Sequence, residues 1–305
     1  MAESDTITRN SKSNLAFTLM DLPELTRIHM AQFYAFCRLV DDIVDEPGME
    51  PHERHDALNR WIDVITGKVE PAHGVEHEVA SMVHDLNLDL APMLELIEGC
   101  RADISHQQPA TREEMLAYAY KVAACVGITS ATVMGASEAA RPYAIALGYA
   151  LQMVNFLRDV AEDCHKHNRF YLPLEDMQLF GVTHEDIRES RYSYRLRLLL
   201  AYEATLAEKF FAESEEYYNA LSSEDKTALI PAQAMKLIYK TILDKMKADE
   251  YRVFDQRYSV KNFRKLWFML RAKIGSVELQ LPSFPSLADW GFFKSNKEAD
   301  NNKEK

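Results

Sequence analysis

Cysteine is scarce in this chain of 305 residues: Cys37, Cys100, Cys125 and Cys164 stand far apart, with no CxxC. That spacing fits neither a zinc site nor a disulfide framework and reads as reduced thiols of a cytoplasmic protein. Glycine (10) and proline (11) are too few for a loop-built all-β fold. No two glycines lie within three residues of each other, which excludes a GxGxxG or P-loop phosphate cradle. Basic charge is short as well, with 35 Lys and Arg against 47 Asp and Glu. The net charge of −12 argues against a nucleic-acid surface. It leaves anionic small molecules open, because a bound cation reverses the sign of a local site. The longest charge-free stretches, Val122–Ser137 and Pro142–Leu157, stop at 16 residues each. A membrane span needs roughly 20. The first residues, Met1 to Thr6, are polar and carry no signal-peptide core.

What the sequence has in quantity is helical periodicity. Pro23 suits the first turn of a helix over Glu24–Asp45, with Leu25, Ile28, Phe33, Phe36 and Val40 near helical spacing. Pro47-Gly48 closes it. Further helices are expected over 51–66, 76–86, 90–106, 112–134, 139–164, 174–180, 191–220, 224–248 and 261–273, with a kink at Pro231. Thr111 with Glu114 has the form of a capping box, and Thr183 with Asp186 a weaker one. Runs of short strands and internal repeats are absent. The expectation is an all-α bundle in one domain: a mobile arm over 1–13, a helical domain over 14–293, and a disordered polar tail over 294–305.

Two acidic stretches stand out. Tyr34–Glu46 places Asp41 and Asp45 one turn apart on a helix with Asp42 beside them. Three carboxylates so close repel unless protonated or neutralised by a divalent cation; a solvated acidic helix end is the other reading. Gln152–Asp163 carries Asn155, Asp159 and Asp163 at i, i+4 and i+8, a narrow polar line after a charge-free entry. Two acid-bearing helices facing each other would suit Mg²⁺, which takes a few carboxylates together with substrate phosphate oxygens.

Tyr34–Glu46, Gln152–Asp163 and Arg169-Phe-Tyr-Leu-Pro173 together resemble the squalene/phytoene synthase family of head-to-head prenyl synthases. Ser11-Lys12-Ser13 and Tyr118–Gly127 extend the likeness, in the family's order, over about residues 11 to 275. The resemblance implies an isoprenoid-synthase-type helical bundle around a central cavity. It implies Mg²⁺ on Asp41, Asp42, Asp45, Asp159 and Asp163, and diphosphate contacts from Ser11, Ser13, Arg38, Arg158 and Arg169. Val122, Ala123, Val126 and Gly127 would line the cavity, with Gln152 and Asn155 as polar groups near the reacting carbons. Tyr118 and Tyr171 are the tyrosines next to the chemistry. Ala124-Cys125 departs from a commoner Gly-Thr, and Asn14 stands where an aromatic is frequent, which bears on cavity length.

The implied reaction joins two farnesyl or geranylgeranyl diphosphates through a cyclopropylcarbinyl diphosphate to a squalene-, dehydrosqualene- or phytoene-type hydrocarbon. Only squalene requires NADPH. An alternative is a presqualene diphosphate synthase that stops at the intermediate. A remote alternative rests on Glu162-Asp-Cys-His165, an ExxH of the kind found in di-iron carboxylate bundles, although the other ExxH, Glu70–His73, lies in a Pro/Gly loop. Residues 261–273 combine Phe263, Leu266, Trp267 and Leu270 with Lys261, Arg264, Lys265, Arg271 and Lys273. They read either as a last core helix with a basic solvated side or as a peripheral membrane contact. Arg257 is a further candidate for the diphosphate region.

Overall fold

The computed structural model describes residues 2–11, 14, 18, 19 and 22–276. Ser13 and the expected polar tail lie outside the described residues. The chain forms α1 (Glu3–Asn10), α2 (Glu24–Asp45), α3 (Pro51–Ile65), α4 (Val75–Asp85), α5 (Ala91–Ala102), α6 (Arg112–Ala119), α7 (Cys125–Val133) and α8 (Arg141–Arg158). These are followed by α9 (Val160–His167), α10 (Leu174–Phe180), α11 (His184–Arg188), α12 (Tyr194–Asn219), α13 (Ser223–Ala228), α14 (Ile230–Ala248) and α15 (Asn262–Ser276). No strand occurs among the described residues.

Local chemistry sets several boundaries. Pro51 occupies the first turn of α3, and Glu50 and Glu53 exchange side-chain bonds with each other's backbone N–H. Thr111 accepts from the Glu114 N–H at 3.3 Å, but Glu114 reaches back to Ala110 rather than to Thr111. The complete box is the other candidate, in which Thr183 and Asp186 bond each other's backbone N–H. Pro231 does not kink a helix. The backbone leaves helical geometry at Leu229, and Pro231 falls in the first turn of α14, where its missing N–H costs nothing.

The expected mobile arm is corrected. Residues 3–10 are helical because Glu78, on α4, accepts from the free N–H groups of Glu3 (2.9 Å) and Ser4 (3.1 Å) at the start of α1. Ser4 and Thr8 are buried on the α2 side, with Thr8 bonding the carbonyl of Ala31.

α8 runs through the centre. Tyr143, Ala144, Leu147, Gly148, Ala150, Val154 and Leu157 are buried on several of its faces, the pattern of a helix enclosed on all sides. α12, α7 and α14 pack around it. The main core includes these residues with Leu196, Leu199, Leu200 and Ile238; a second core gathers Phe33, Phe36, Leu58, Trp61, Met82 and Ile97 from α2–α5. The segment 112–133 is long and apolar enough to cross a membrane by length and composition, yet it packs against α5 and α8 inside the bundle.

The expected single helix over 112–134 contains a wider turn at Tyr120–Ala124, closed by the Cys125 N–H on the Tyr120 carbonyl. This turn presses against α8. A Cβ on Gly148 would lie 2.6 Å from the Ala124 Cα and 2.9 Å from the Ala123 carbonyl oxygen. Gly148→Ala is therefore expected to destabilise the protein by about 1–3 kcal/mol, the range for overpacked cores. Urea unfolding would check this; an unchanged midpoint would mean that the two backbones separate freely.

Candidate active site

The two acidic clusters stand on separate helices. At the end of α2, Arg38 donates through Nε to Asp42 Oδ2 at 3.0 Å and, through Nη1, to Asp41 Oδ2 at 3.4 Å. Asp45 is held by Arg169, whose Nη1 lies 2.5 Å from its Oδ1. The Arg169 Nη2 donates to the Val44 carbonyl at 3.2 Å and the Asp103 carbonyl at 3.4 Å. A cation thus sits on the negative end of α2. Asn168, in the left-handed conformation that asparagine tolerates, turns the chain so that Arg169 points there.

The second cluster spans a break. The expected helix over 139–164 is interrupted at Asp159, but Asp159 N–H still reaches Asn155 O (2.9 Å) and Asp163 N–H reaches Asp159 O (2.8 Å). The polar line therefore survives as one row. Arg158 grips Asp159 with two parallel bonds, Nε–Oδ1 at 2.9 Å and Nη2–Oδ2 at 2.5 Å. Arg257 Nε adds contacts to Asp159 (3.1 Å) and Glu162 (3.2 Å), so this candidate residue joins the cluster.

One carboxylate on each side is left uncompensated. Burial, then the charge of Asp45, pushes Asp41 up to about 7, Arg38 only partly offsetting it. Burial, then Asp159 and Glu162, pushes Asp163 up to about 8. At Asp159 burial acts in the same direction, but Arg158 and Arg257 prevail and hold its carboxyl below the ordinary value. Among the described residues no three acidic, His or Cys side chains converge tightly enough to enclose a metal alone. The donors are hard oxygens with excess negative charge, which suits Mg²⁺ completed by substrate oxygens rather than a closed protein cage.

Between the clusters lies a residue that the sequence reading missed. Asp103, in a short 3₁₀ turn after α5, accepts from Tyr118 Oη at 2.6 Å and Tyr171 Oη at 3.2 Å. His106 Nδ1 is 3.3 Å from the same carboxylate, and its Nε2 lies 3.1 Å from the Phe170 amide nitrogen and 3.0 Å from the Phe170 carbonyl oxygen. Tyr118 and Tyr171 stack at 5.2 Å, and Tyr171 stacks on Phe156 at 5.0 Å. Burial holds both phenols well above their ordinary range, with the charges of Tyr171 and Asp103 adding to it at Tyr118 and that of Asp103 at Tyr171. A lone acid at a helix end carries no spacing signal, so only the fold reveals it.

A cavity of about 200 Å³ runs beside α8. Val122, Ala123, Val126 and Gly127 line one wall, with Gln152 and Asn155 on another. Met235 and Tyr239 of α14 add a wall that the sequence reading did not include. Gln152 and Asn155 bond each other at 3.2 Å, and the Asn155 Oδ1 is buried without a hydrogen-bond partner one turn from Asp159. Ser11 instead caps α1 and hydrogen-bonds the Tyr34 hydroxyl, two turns before Asp41. His165 contacts the Arg188 carbonyl at 3.0 Å, and Glu162 pairs with Lys166 and Arg257, which uses the ExxH in surface contacts.

An all-α bundle with facing acidic helices beside an apolar cavity is the architecture of an isoprenoid-synthase-type enzyme. The family model described as Squalene/phytoene synthase matches residues 8–264. The chain is 32% identical over 274 residues to the phytoene synthase of Arthrospira platensis, covering 83% of this chain and 87% of that one. A crystal structure of a dehydrosqualene synthase in complex with ligand superposes with a TM-score of 0.77 at 27% identity, covering 89% and 94% of the two chains. The squalene synthase HpnC of Alicyclobacillus acidocaldarius gives 0.71 at 26% identity, covering 81% and 93%. The chain belongs to the squalene/phytoene synthase family and is a prenyltransferase of the head-to-head type.

The raised carboxyls have a measurable consequence. Asp41 and Asp163 hold protons in the folded state that they lose near pH 4 when unfolded, so stability without divalent cations falls as pH rises through 7 to 8. In metal-free buffer the urea midpoint should drop between pH 5 and 8.5, and Asp163→Asn should flatten that drop. An unchanged slope in the variant would remove Asp163 as its source.

Proposed function

We propose that the protein condenses two geranylgeranyl diphosphates, without NADPH, to a phytoene-type hydrocarbon, with Mg²⁺ held by Asp41, Asp42, Asp45, Asp159 and Asp163. The observation that carries this reading is the pair of acidic clusters on two helices joined by the Arg169–Asp45 pair and only partly offset by arginines, next to an apolar cavity whose polar end, Gln152 and Asn155, adjoins Asp159. The phytoene synthase relatives support the choice of product class. Mg²⁺ bound there supplies charge to withdraw electrons from a departing diphosphate.

The chain's own residues do the rest. Arg38, Arg158 and Arg169 are partly or largely buried cations that can turn from carboxylate to diphosphate oxygens. The wall of Val122, Ala123, Val126 and Gly127 excludes water that would trap an allylic cation. Faces of Tyr118, Tyr171 and Phe156 offer quadrupoles to such a cation. The first diphosphate leaves, the second molecule's double bond attacks the allylic cation, and loss of one proton closes a cyclopropylcarbinyl diphosphate. Departure of the second diphosphate, rearrangement and loss of a second proton then give the hydrocarbon without a reductant.

Incubation with geranylgeranyl or farnesyl diphosphate and Mg²⁺, with and without NADPH, followed by product mass, tests the reading. A phytoene-mass product independent of NADPH is expected; a squalene-mass product made only with NADPH would overturn the product assignment. Asp41→Asn and Asp159→Asn should each abolish turnover with the helical circular dichroism intact, and wild-type activity in either would remove its assigned role.

We also propose that α15 meets an anionic membrane, where an apolar product would leave. Its inner side packs Met269 and Ala272 against Ala234 of α14, while Phe263, Leu266, Trp267 and Leu270 are exposed, Phe263 by 70%. Lys261, Arg264 and Arg271 are exposed on the same helix and complement acidic lipid. The wild type should co-sediment with phosphatidylserine vesicles, and Leu266→Glu/Trp267→Glu should release it. Absence of wild-type binding would exclude this contact.

A further inference from the structure

Asp103 stands outside both acidic clusters, yet it touches more of the candidate chemistry than any residue in them. Its carboxylate is buried, with its side chain 8% exposed. It faces three hydrogen-bond donors: the hydroxyls of Tyr118 and Tyr171, and Nδ1 of His106. A carboxylate can only accept, so Nδ1 is the donor in the contact between His106 and Asp103, while Nε2 lies against both the Phe170 N–H (3.1 Å) and the Phe170 carbonyl oxygen (3.0 Å). No arginine or lysine side chain pairs with this carboxylate among the described residues; Arg169 reaches only its backbone carbonyl.

The three donors come from three places in the chain. Tyr118 lies on α6, Tyr171 in the segment between α9 and α10, and His106 just after the 3₁₀ turn. A buried acceptor with three donors holds all of them, because each would otherwise lose its bond to the carboxylate away from water. The two phenols would then keep only the longer contact between their own hydroxyls, 3.4 Å. The result is an ordered slab of aromatic rings, Tyr118 on Tyr171 on Phe156, with interplanar angles of 21° and 20°. Tyr171 and Phe156 border the same small void as Asp163 and Arg169. Tyr118 lies one turn before Val122 of the apolar cavity, and Phe156 follows Asn155. The slab therefore stands between the acidic end and the hydrocarbon end of the site.

We propose that Asp103 is a positioning residue for the condensation: by accepting both phenolic hydrogens it locks Tyr118 and Tyr171 into one rigid slab facing the reacting carbons. This rests on the prenyl-condensing function proposed above. A cation formed beside two rings is favoured by their faces only if the rings stay parallel and close. It also needs the hydroxyl hydrogens directed towards Asp103, so that they do not oppose the cation.

The same carboxylate seals the slab from the outside. A second, more open cavity of about 480 Å³ is bordered by Asp103, His106, Gln108 and Glu114, and by the far sides of Tyr118 and Tyr171. If the hydroxyls were free to turn, that side would offer solvent as an alternative partner and the rings could tilt. Asp103 removes the alternative.

Asparagine cannot replace it, because an amide presents one acceptor and one donor group to three donors. Asp103→Asn should lower kcat by about 10- to 100-fold, the scale of an ångström-level misplacement, with KM within about twofold. A larger fraction of turnovers should end as prenyl alcohols, from water capturing a poorly held cation. The decisive measurement is a mutant cycle. If Asp103 acts through the phenols, adding Asp103→Asn to Tyr118→Phe/Tyr171→Phe should change kcat by no more than about threefold, far less than in the wild type. Full additivity, or wild-type kcat and alcohol fraction in Asp103→Asn, would overturn the proposal. Should Asp103→Asn not fold, Asp103→Leu in the double-phenylalanine background, where no phenol donors remain, provides the same comparison. Wild-type protein making no hydrocarbon from any prenyl diphosphate would instead refute the function on which this rests.

Discussion

The protein keeps more negative charge at one end of its bundle than its own cations neutralise. Among the described residues, Asp41, Asp42, Asp45, Asp103, Asp159, Glu162 and Asp163 meet Arg38, Arg158, Arg169 and Arg257, with Lys166 on Glu162 alone. Partly buried carboxylates in such excess are unfavourable unless protonated or joined by a cation. A protein selected only for stability would remove some of them. Keeping them makes sense where the missing charge arrives with the substrate, since phosphate-bound cations compensate the acids only while substrate is present.

Arg169 is where that excess is tied into the fold. It holds Asp45 and the last carbonyls of α2, and it also touches the turn that presents Asp103. The end of one acidic helix, the segment following the other and the anchor of the tyrosine slab therefore share one guanidinium. A lysine there would supply the charge but not the fork that reaches three acceptors. Through these contacts the Asp45 pair and the turn that carries the ring stack are tied to the same side chain.

Much of this could be read from the residues. The rows 41–45 and 155–163 are local patterns, and a helix preserves local patterns even across the break at Asp159, because the 155–159–163 backbone bonds persist. The cavity wall at Val122–Gly127 was implied by the family resemblance and not by its own small residues, which suit close packing as well as open space. What was not legible depends on groups far apart in sequence. α1 is a helix because Glu78 caps it, and Asp103 matters because Tyr171, 68 residues later, donates to it. Pro231 was read as an interruption because its own constraint is visible; that Leu229 ends the preceding turn first is a tertiary outcome.

The wide turn at Tyr120–Ala124 shows how such distant pairs build the cavity. Small residues on facing helices have two uses, close packing and open space, and the sequence does not separate them. The structure uses both within one turn. On one side Ala123 and Ala124 press their backbone onto Gly148, and Gly127 meets the Ala144 carbonyl, at distances that leave no room for a methyl group. On the other, Val122, Ala123 and Val126 face the cavity. An ordinary helical turn would offer the same small residues without the extra backbone width that reaches α8. Widening the turn brings the two backbones together at Gly148 and shifts the cavity wall relative to Tyr118, just before it in the chain. A wide turn inside a helix is uncommon and is found mostly at functional sites. Here it is accommodated by the missing side chain at Gly148, 24 residues beyond Ala124.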